Sequence, residues 1–166
     1  MLRHGERPVT YEEFLRIALE LRCAAASALE RPRVGAACRA YTATVADVLA
    51  ADTYAVRFRD ARSGNLVDWN HPHATPLTFR DLVQHGDHLE SLLAGWGGAS
   101  GEWSRGQPYL ALHCAGCERI VMIDGMRRLA WLASEEEIGQ ELFIVEQSGF
   151  HWPRSAADMG VVCACR

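Results

Sequence analysis

Lysine is absent from the chain, and all 17 of its basic residues are arginine. Schiff-base chemistry, a pyridoxal-phosphate lysine and a lysine general base are therefore excluded, because each needs an amine that can lose its proton. The standard P-loop is excluded too, since its lysine contacts the β- and γ-phosphates of the nucleotide. A GC-rich bacterial genome would explain both the missing lysine and the many alanine and glycine residues.

Long apolar segments are also missing. No run reaches the roughly 18 apolar residues of a membrane span, and the N-terminal residues show no apolar core of a secretory signal. The chain has 166 residues and a formal net charge of −4, with its arginines scattered along it. We therefore expect a soluble cytoplasmic protein with no membrane partner. Broad electrostatic binding to nucleic acid is disfavoured, because such binders usually carry a basic stripe.

Helical patterns dominate the first third of the chain. Thr10 and Glu13 form a capping box, and apolar residues at helical spacing predict a helix over residues 11–30. The alanine-rich residues 34–51 predict a second helix. We therefore expect an N-terminal helical region over residues 1–52.

Strands and helices alternate over residues 53–147, which predicts an α+β domain with a small mixed sheet. The remaining residues, 148–166, are expected to form a C-terminal tail that carries a Cys-x-Cys pair and packs on this domain. The predicted strands are 54–59, 66–69, 109–113, 119–123 and 141–146, and the predicted helices are 79–94 and 126–137.

The most specific motif is Ile120–Ala130, in which a strand runs through Asp-Gly into a helix that opens with Met-Arg-Arg-Leu-Ala. Gly125 allows a tight turn and a close backbone approach to a ligand. The helix N-terminus after it favours an anion, and Arg127 or Arg128 can add bidentate contacts to a phosphate or carboxylate. The alternative is an ordinary turn followed by solvated arginines.

This segment and the order of elements around it resemble the ParB/sulfiredoxin-like superfamily over residues 54–147. The resemblance implies that fold, with the N-terminal helical region as an extension. It also implies a phosphate subsite made by Gly125, Met126, Arg127 and Arg128, where Arg128 matches the arginine that serves the nucleotide. ATP or CTP with magnesium would then be the cofactor.

Departures from the family narrow the function. The position of the catalytic cysteine of sulfiredoxins is Met126, which argues against sulfinic-acid repair. Few residues follow this segment, so we expect no helix-turn-helix domain of the kind that follows this fold in partitioning proteins. We therefore expect a small enzyme acting on a small-molecule metabolite, in a bacterial specialised biosynthetic pathway, with Asp124 and His71 or His73 as acid/base residues. The alternatives are a non-catalytic regulatory module that binds a nucleotide or a partner, and a ParB-type nuclease.

Four cysteines are candidates for a structural zinc site. Cys114 and Cys117 form a Cys-x-x-Cys pair at a predicted turn, and Cys163 and Cys165 could complete a set of four thiolates. The alternative is four unligated thiols. Cys38, in contrast, is expected to be a small residue of the core.

Overall fold

The computed structural model describes residues 1–21, 37–51, 53–55, 57–59, 66–68, 78–84, 93, 106–113 and 118–148. The strands within these ranges are β1 (His4–Val9), β2 (Cys38–Thr44), β3 (Thr53–Ala55), β4 (Arg57–Arg59), β5 (Leu66–Asp68), β6 (Tyr109–His113), β7 (Ile120–Asp124) and β8 (Glu141–Gln147). The helices are α1 (Tyr11–Glu20), α2 (Val45–Ala50), α3 (Phe79–Gln84) and α4 (Met126–Ser134).

Six of these strands form one mixed sheet in the order β1-β2-β8-β6-β7-β3, and β4 pairs with β5 in a separate antiparallel pair. Within the six-stranded sheet, β6 runs parallel to β8 and β3 runs parallel to β7. The other neighbours are antiparallel. The prediction of an α+β fold with a mixed sheet is therefore confirmed.

Strands β6 and β7, which each have a neighbour on both sides, are almost wholly apolar because both of their faces are covered. All five residues of β6 are buried, as are the first four residues of β7. A core cluster joins one face of the sheet to α2, α3 and α4, and its bulky members include Tyr41, Tyr109, Met122, Leu129 and Ile144. α1 packs near β8 and buries Phe14, Ile17 and Ala18.

The helix predicted over residues 34–51 is wrong for Cys38–Thr44, which is strand β2. β2 pairs along its length with β8 and also pairs with β1. These two sets of ladder hydrogen bonds outweigh the modest helix propensity of its alanines. Helix α2 begins only after Thr44, whose side chain accepts a hydrogen bond from the Asp47 backbone.

The helix predicted over residues 11–30 is confirmed for α1, and its continuation falls in residues 22–36, outside the described part of the chain. The predicted helix 79–94 is confirmed for α3, residues 79–84, and most of its remainder lies outside the described part of the chain. The hairpin β6–β7, the helix after it and the strand β8 lie close to the predicted positions. Strand β1 was not predicted, because its sequence HGERPV is polar and broken by glycine and proline.

The six-stranded sheet includes β1 and β2 from the first 52 residues together with β3, β6, β7 and β8. Its strands thus come from both sides of the predicted boundary at residue 52. Among the described residues, no helix is long and apolar enough to cross a membrane.

Candidate functional site

The Asp-Gly motif forms the turn from β7 into α4. Gly125 has a φ of +93°, in the left-handed region that favours glycine. A Cβ atom at this position would overlap the ring of Tyr109. Only glycine therefore fits between the first residue of β6 and the start of α4.

Gly125 is also the N-cap of α4, and among the described residues no side chain caps this helix by a hydrogen bond. The first intrahelical bond runs from the Leu129 N–H to the Gly125 carbonyl, at 2.9 Å. The N–H groups of Arg127 and Arg128 consequently have no carbonyl partner within the helix. This is the arrangement in which a helix N-terminus attracts an anion.

Arg128 is buried, with 6 % of its surface exposed, and its guanidinium is engaged by the protein itself. One of its terminal nitrogens, Nη1, donates to the carbonyl of Gln107 at 2.9 Å. The other, Nη2, donates to the carbonyl of Pro108 at 2.8 Å and to the Asp124 carboxylate at 3.4 Å. The guanidinium also lies over the Tyr109 ring, 4.1 Å from its centre. Arg128 thus ties the chain before β6 to the end of β7.

Asp124 is the one titratable carboxyl of this turn. Burial raises the pKa of Asp124 above its ordinary value, and the charge and hydrogen bond of Arg128 oppose that rise only in part. Its side chain keeps 22 % of its surface exposed, so a proton on it can exchange with solvent or with a ligand. A partly buried carboxyl with a raised pKa suits acid/base work.

The remaining predicted site residues divide into two groups. Arg127 is exposed and Met126 is partly exposed at the start of α4. The predicted acid/base histidines and zinc ligands, His71, His73, Cys114, Cys117, Cys163 and Cys165, lie outside the described residues. Within the described ranges, no three His, Cys, Asp or Glu side chains are grouped so that they could hold a metal ion. The zinc site and the roles of the turn residues stay predictions.

A second polar cluster surrounds the fully buried carboxylate of Glu146 in β8. Its Oε1 accepts from Arg39 Nε at 2.7 Å and from Arg3 Nη1 at 3.3 Å. Its Oε2 accepts from the Tyr41 hydroxyl at 2.7 Å and from Arg3 Nη2 at 3.4 Å. Burial and the charge of Glu146 raise the pKa of Tyr41 far above its usual range, so this phenol stays a donor.

Arg39 connects Glu146 to a histidine. Its Nη2 lies 3.2 Å from Nδ1 of His113, and its Nη1 donates to Glu6 at 3.0 Å. Nε2 of His113 lies 2.9 Å from the carboxylate of Glu118. A guanidinium can only donate, so Nδ1 accepts and Nε2 carries the proton that is donated to Glu118. This hydrogen bond is the largest cause that lowers the pKa of Glu118, and nearby positive charges lower it further.

Sequence reasoning missed this second cluster because its members are far apart along the chain. Arg39, His113 and Glu146 come from three different strands, and only the pairing of β2 with β8 and of β8 with β6 brings them to one face. A charged residue inside an apolar strand, such as Glu146, was the one available signal. Cys38 is buried, as predicted; burial and the nearby Glu12 raise its pKa to about 11, so its thiol stays protonated.

The comparisons with known proteins add no relative. No family model matches the chain, and neither the curated proteins nor the solved structures include a significant match. The resemblance to the ParB/sulfiredoxin-like superfamily therefore rests on the motif and on the order of elements alone.

Proposed function

We propose that the chain is a small enzyme that acts on a small-molecule metabolite and holds an anionic group, such as a nucleotide phosphate, at the turn from β7 to α4. The resemblance of Ile120–Ala130 to the ParB/sulfiredoxin-like motif supports a nucleotide, ATP or CTP with magnesium. A place in a bacterial biosynthetic pathway belongs to the same proposal.

One observation carries the proposal: an uncapped helix N-terminus lies beside an exposed arginine and a carboxyl with a raised pKa. Gly125 contributes no side chain to cap α4, and Arg127 extends from the first turn into solvent. An anion placed there would accept from backbone N–H groups and from a guanidinium. Asp124 sits next to the same turn and can exchange a proton with the bound molecule.

The two arginines have different roles in this proposal. Arg128 donates to the backbone carbonyls of Gln107 and Pro108, so its role is to stabilise the turn. Arg127 is exposed and supplies the contact to the ligand. This assignment shifts the anion contact by one residue from the arginine that the family resemblance favours.

The test is a binding measurement on Arg127→Ala with ATP, CTP, GTP and inorganic pyrophosphate, each with and without magnesium. Arg80→Ala is the matched control, because Arg80 is also an exposed arginine in the second position of a helix. The N-terminus of α3 differs in one respect: the Asp81 N–H is already capped by the Thr78 hydroxyl, at 3.1 Å.

We expect Arg127→Ala to weaken binding of one of these anions about tenfold, which corresponds to about 1.4 kcal/mol. Arg80→Ala should leave the affinity unchanged. Equal affinities in all three proteins, or no binding by the wild type, would refute the anion site. Binding without turnover of the nucleotide, in the presence of candidate metabolites, would favour the regulatory module over the enzyme.

A further inference from the structure

We propose that His113 is the hydrogen-bond donor of a second subsite, one that binds a small carboxylate and that the side chain of Glu118 fills in the ligand-free protein. The subsite lies at the opposite end of β7 from the Asp-Gly turn. Ile120 pairs with His113, whereas Asp124 ends the strand four residues later. At about 3.3 Å per residue, the two sites are about 13 Å apart.

The neighbours of His113 determine which of its ring nitrogens is the hydrogen-bond donor. His113 is buried, with 4 % of its side chain exposed, and Arg39 donates toward its Nδ1. Because a guanidinium can only donate, Nδ1 accepts from Arg39, and the Nε2–H is the group that faces the Glu118 carboxylate, 2.9 Å away.

The Glu118 side chain is well placed to leave its hydrogen bond with His113. Its side chain is 76 % exposed, although its carboxylate contacts a nearly buried imidazole. Its backbone has a φ of +59°, a conformation that costs a non-glycine residue energy. An incoming carboxylate can take over the contact to Nε2 while the Glu118 side chain turns into solvent, so no buried polar group is left unpaired.

Charge favours an anion at this point. The groups behind the imidazole are Arg3, Arg39 and the buried Glu146, which together carry one net positive charge. Glu6 offsets part of it from the surface, where 45 % of its side chain is exposed. His113 and Glu146 lie near the carboxyl ends of the parallel neighbours β6 and β8.

The experiment is an acetate titration of the full chain, monitored by long-range ¹H–¹⁵N NMR of the His113 ring. The resonances of this ring are assigned by their loss in the His113→Gln variant. Glu118→Ala removes the internal carboxylate. Glu136→Ala is the matched control, because Glu136 is exposed and has the same φ of +59°. Acetamide serves as the neutral analogue of acetate.

We expect acetate to shift the Nε2 resonance of Glu118→Ala saturably, with an affinity at least tenfold higher than in the wild type or in Glu136→Ala. Acetamide should bind at least tenfold more weakly than acetate. Arg127→Ala should not change the acetate affinity, which separates this subsite from the phosphate site proposed above.

Equal acetate affinities in Glu118→Ala and the wild type would overturn the proposal, as would equal binding of acetate and acetamide. A ring protonated on Nδ1 in the wild type would overturn it as well. If Glu118→Ala fails to fold, Glu118→Gln replaces it: the amide still accepts from Nε2–H but has no charge, so acetate should displace it more readily than it displaces the native carboxylate.

Discussion

Adjacent arginines in this chain differ because of their surroundings. Arg128 is buried under Tyr109 and donates to two backbone carbonyls, whereas its neighbour Arg127 is exposed. The helix rotates by about 100° per residue, so consecutive side chains cannot share an environment. A charged residue type in a motif therefore does not by itself reveal which of two neighbours contacts a ligand.

Gly125 is the residue on which the turn depends most, and Gly125→Ala should lower the free energy of unfolding by about 3 kcal/mol. Roughly 1–2 kcal/mol comes from the left-handed backbone, and a further 1–3 from the overlap with Tyr109. Urea denaturation of the variant and the wild type measures the difference.

The control for Gly125→Ala is Gly139→Ala. A Cβ atom at Gly139 meets no atom within 4 Å, so this substitution should change the free energy of unfolding by less than about 0.5 kcal/mol. A loss of the same size at both positions would show that neither the backbone conformation nor the Tyr109 contact determines the effect at Gly125.

At the scale of the element, α2 and α3 open with the same Thr-x-x-Asp pattern but use it differently. In α2, the Thr44 N–H and hydroxyl donate to Asp47 at 3.0 and 2.8 Å, and the Asp47 N–H donates back to Thr44 at 3.1 Å. In α3, the Asp81 N–H donates to Thr78. The two hydrogen bonds that Thr44 donates to the Asp47 carboxylate in α2 lower the pKa of Asp47 below its ordinary value of 3.8.

Asp47→Asn should therefore destabilise the protein near neutral pH by about 0.5–1 kcal/mol, the usual size of a helix-capping effect. Because the folded state lowers this pKa, the stabilisation by Asp47 is present above the unfolded value and is lost as pH falls through the folded one. Urea denaturation at pH 7 and pH 3 should show the gap between Asp47→Asn and the wild type closing at the lower pH.

Asp81→Asn is the matched control for this pH dependence, since Asp81 occupies the same position in α3. It should show a smaller change of stability between the two pH values. A gap for Asp47→Asn that stays constant from pH 7 to pH 3 would contradict a role for the Asp47 charge.

Patterns of a few consecutive residues predicted the helices, strands and turns whose formation depends on those residues themselves. The apolar runs of β6 and β7, the Thr10 cap of α1 and the Asp-Gly turn are each visible in a few consecutive residues, and the structure places them as expected. Of the capping box predicted at α1, the structure gives the hydrogen bond from the Glu13 N–H to the Thr10 hydroxyl, at 3.1 Å. β2 was missed because its alanines favour a helix until β1 and β8 pair with it. The cluster around Glu146 was missed for the same reason, since strand pairing assembles it.

At the scale of the whole molecule, β8 joins the two parts of the sheet. It lies between β2 on one side and β6 on the other. Three donors to its buried carboxylate, Arg3, Arg39 and Tyr41, all come from the first 52 residues. Among the strands of residues 53–147, β8 is thus at one edge of the large sheet, and β2 of the first 52 residues covers that edge.

A fragment of residues 53–147 should therefore not fold on its own. Without β2, the β8 backbone groups that face it lose their ladder partners. The core would lose the buried side chains of Tyr41, Ala43, Val45 and Val48, and each fully buried valine alone contributes about 1.5–3 kcal/mol, against the roughly 5–15 kcal/mol that stabilises a typical domain. The matched control is a fragment of residues 1–148, which keeps every described helix and strand. We expect a dispersed ¹H–¹⁵N spectrum and cooperative urea unfolding from residues 1–148, and neither from residues 53–147. Cooperative unfolding of the shorter fragment would instead establish an independent domain with its boundary near residue 52.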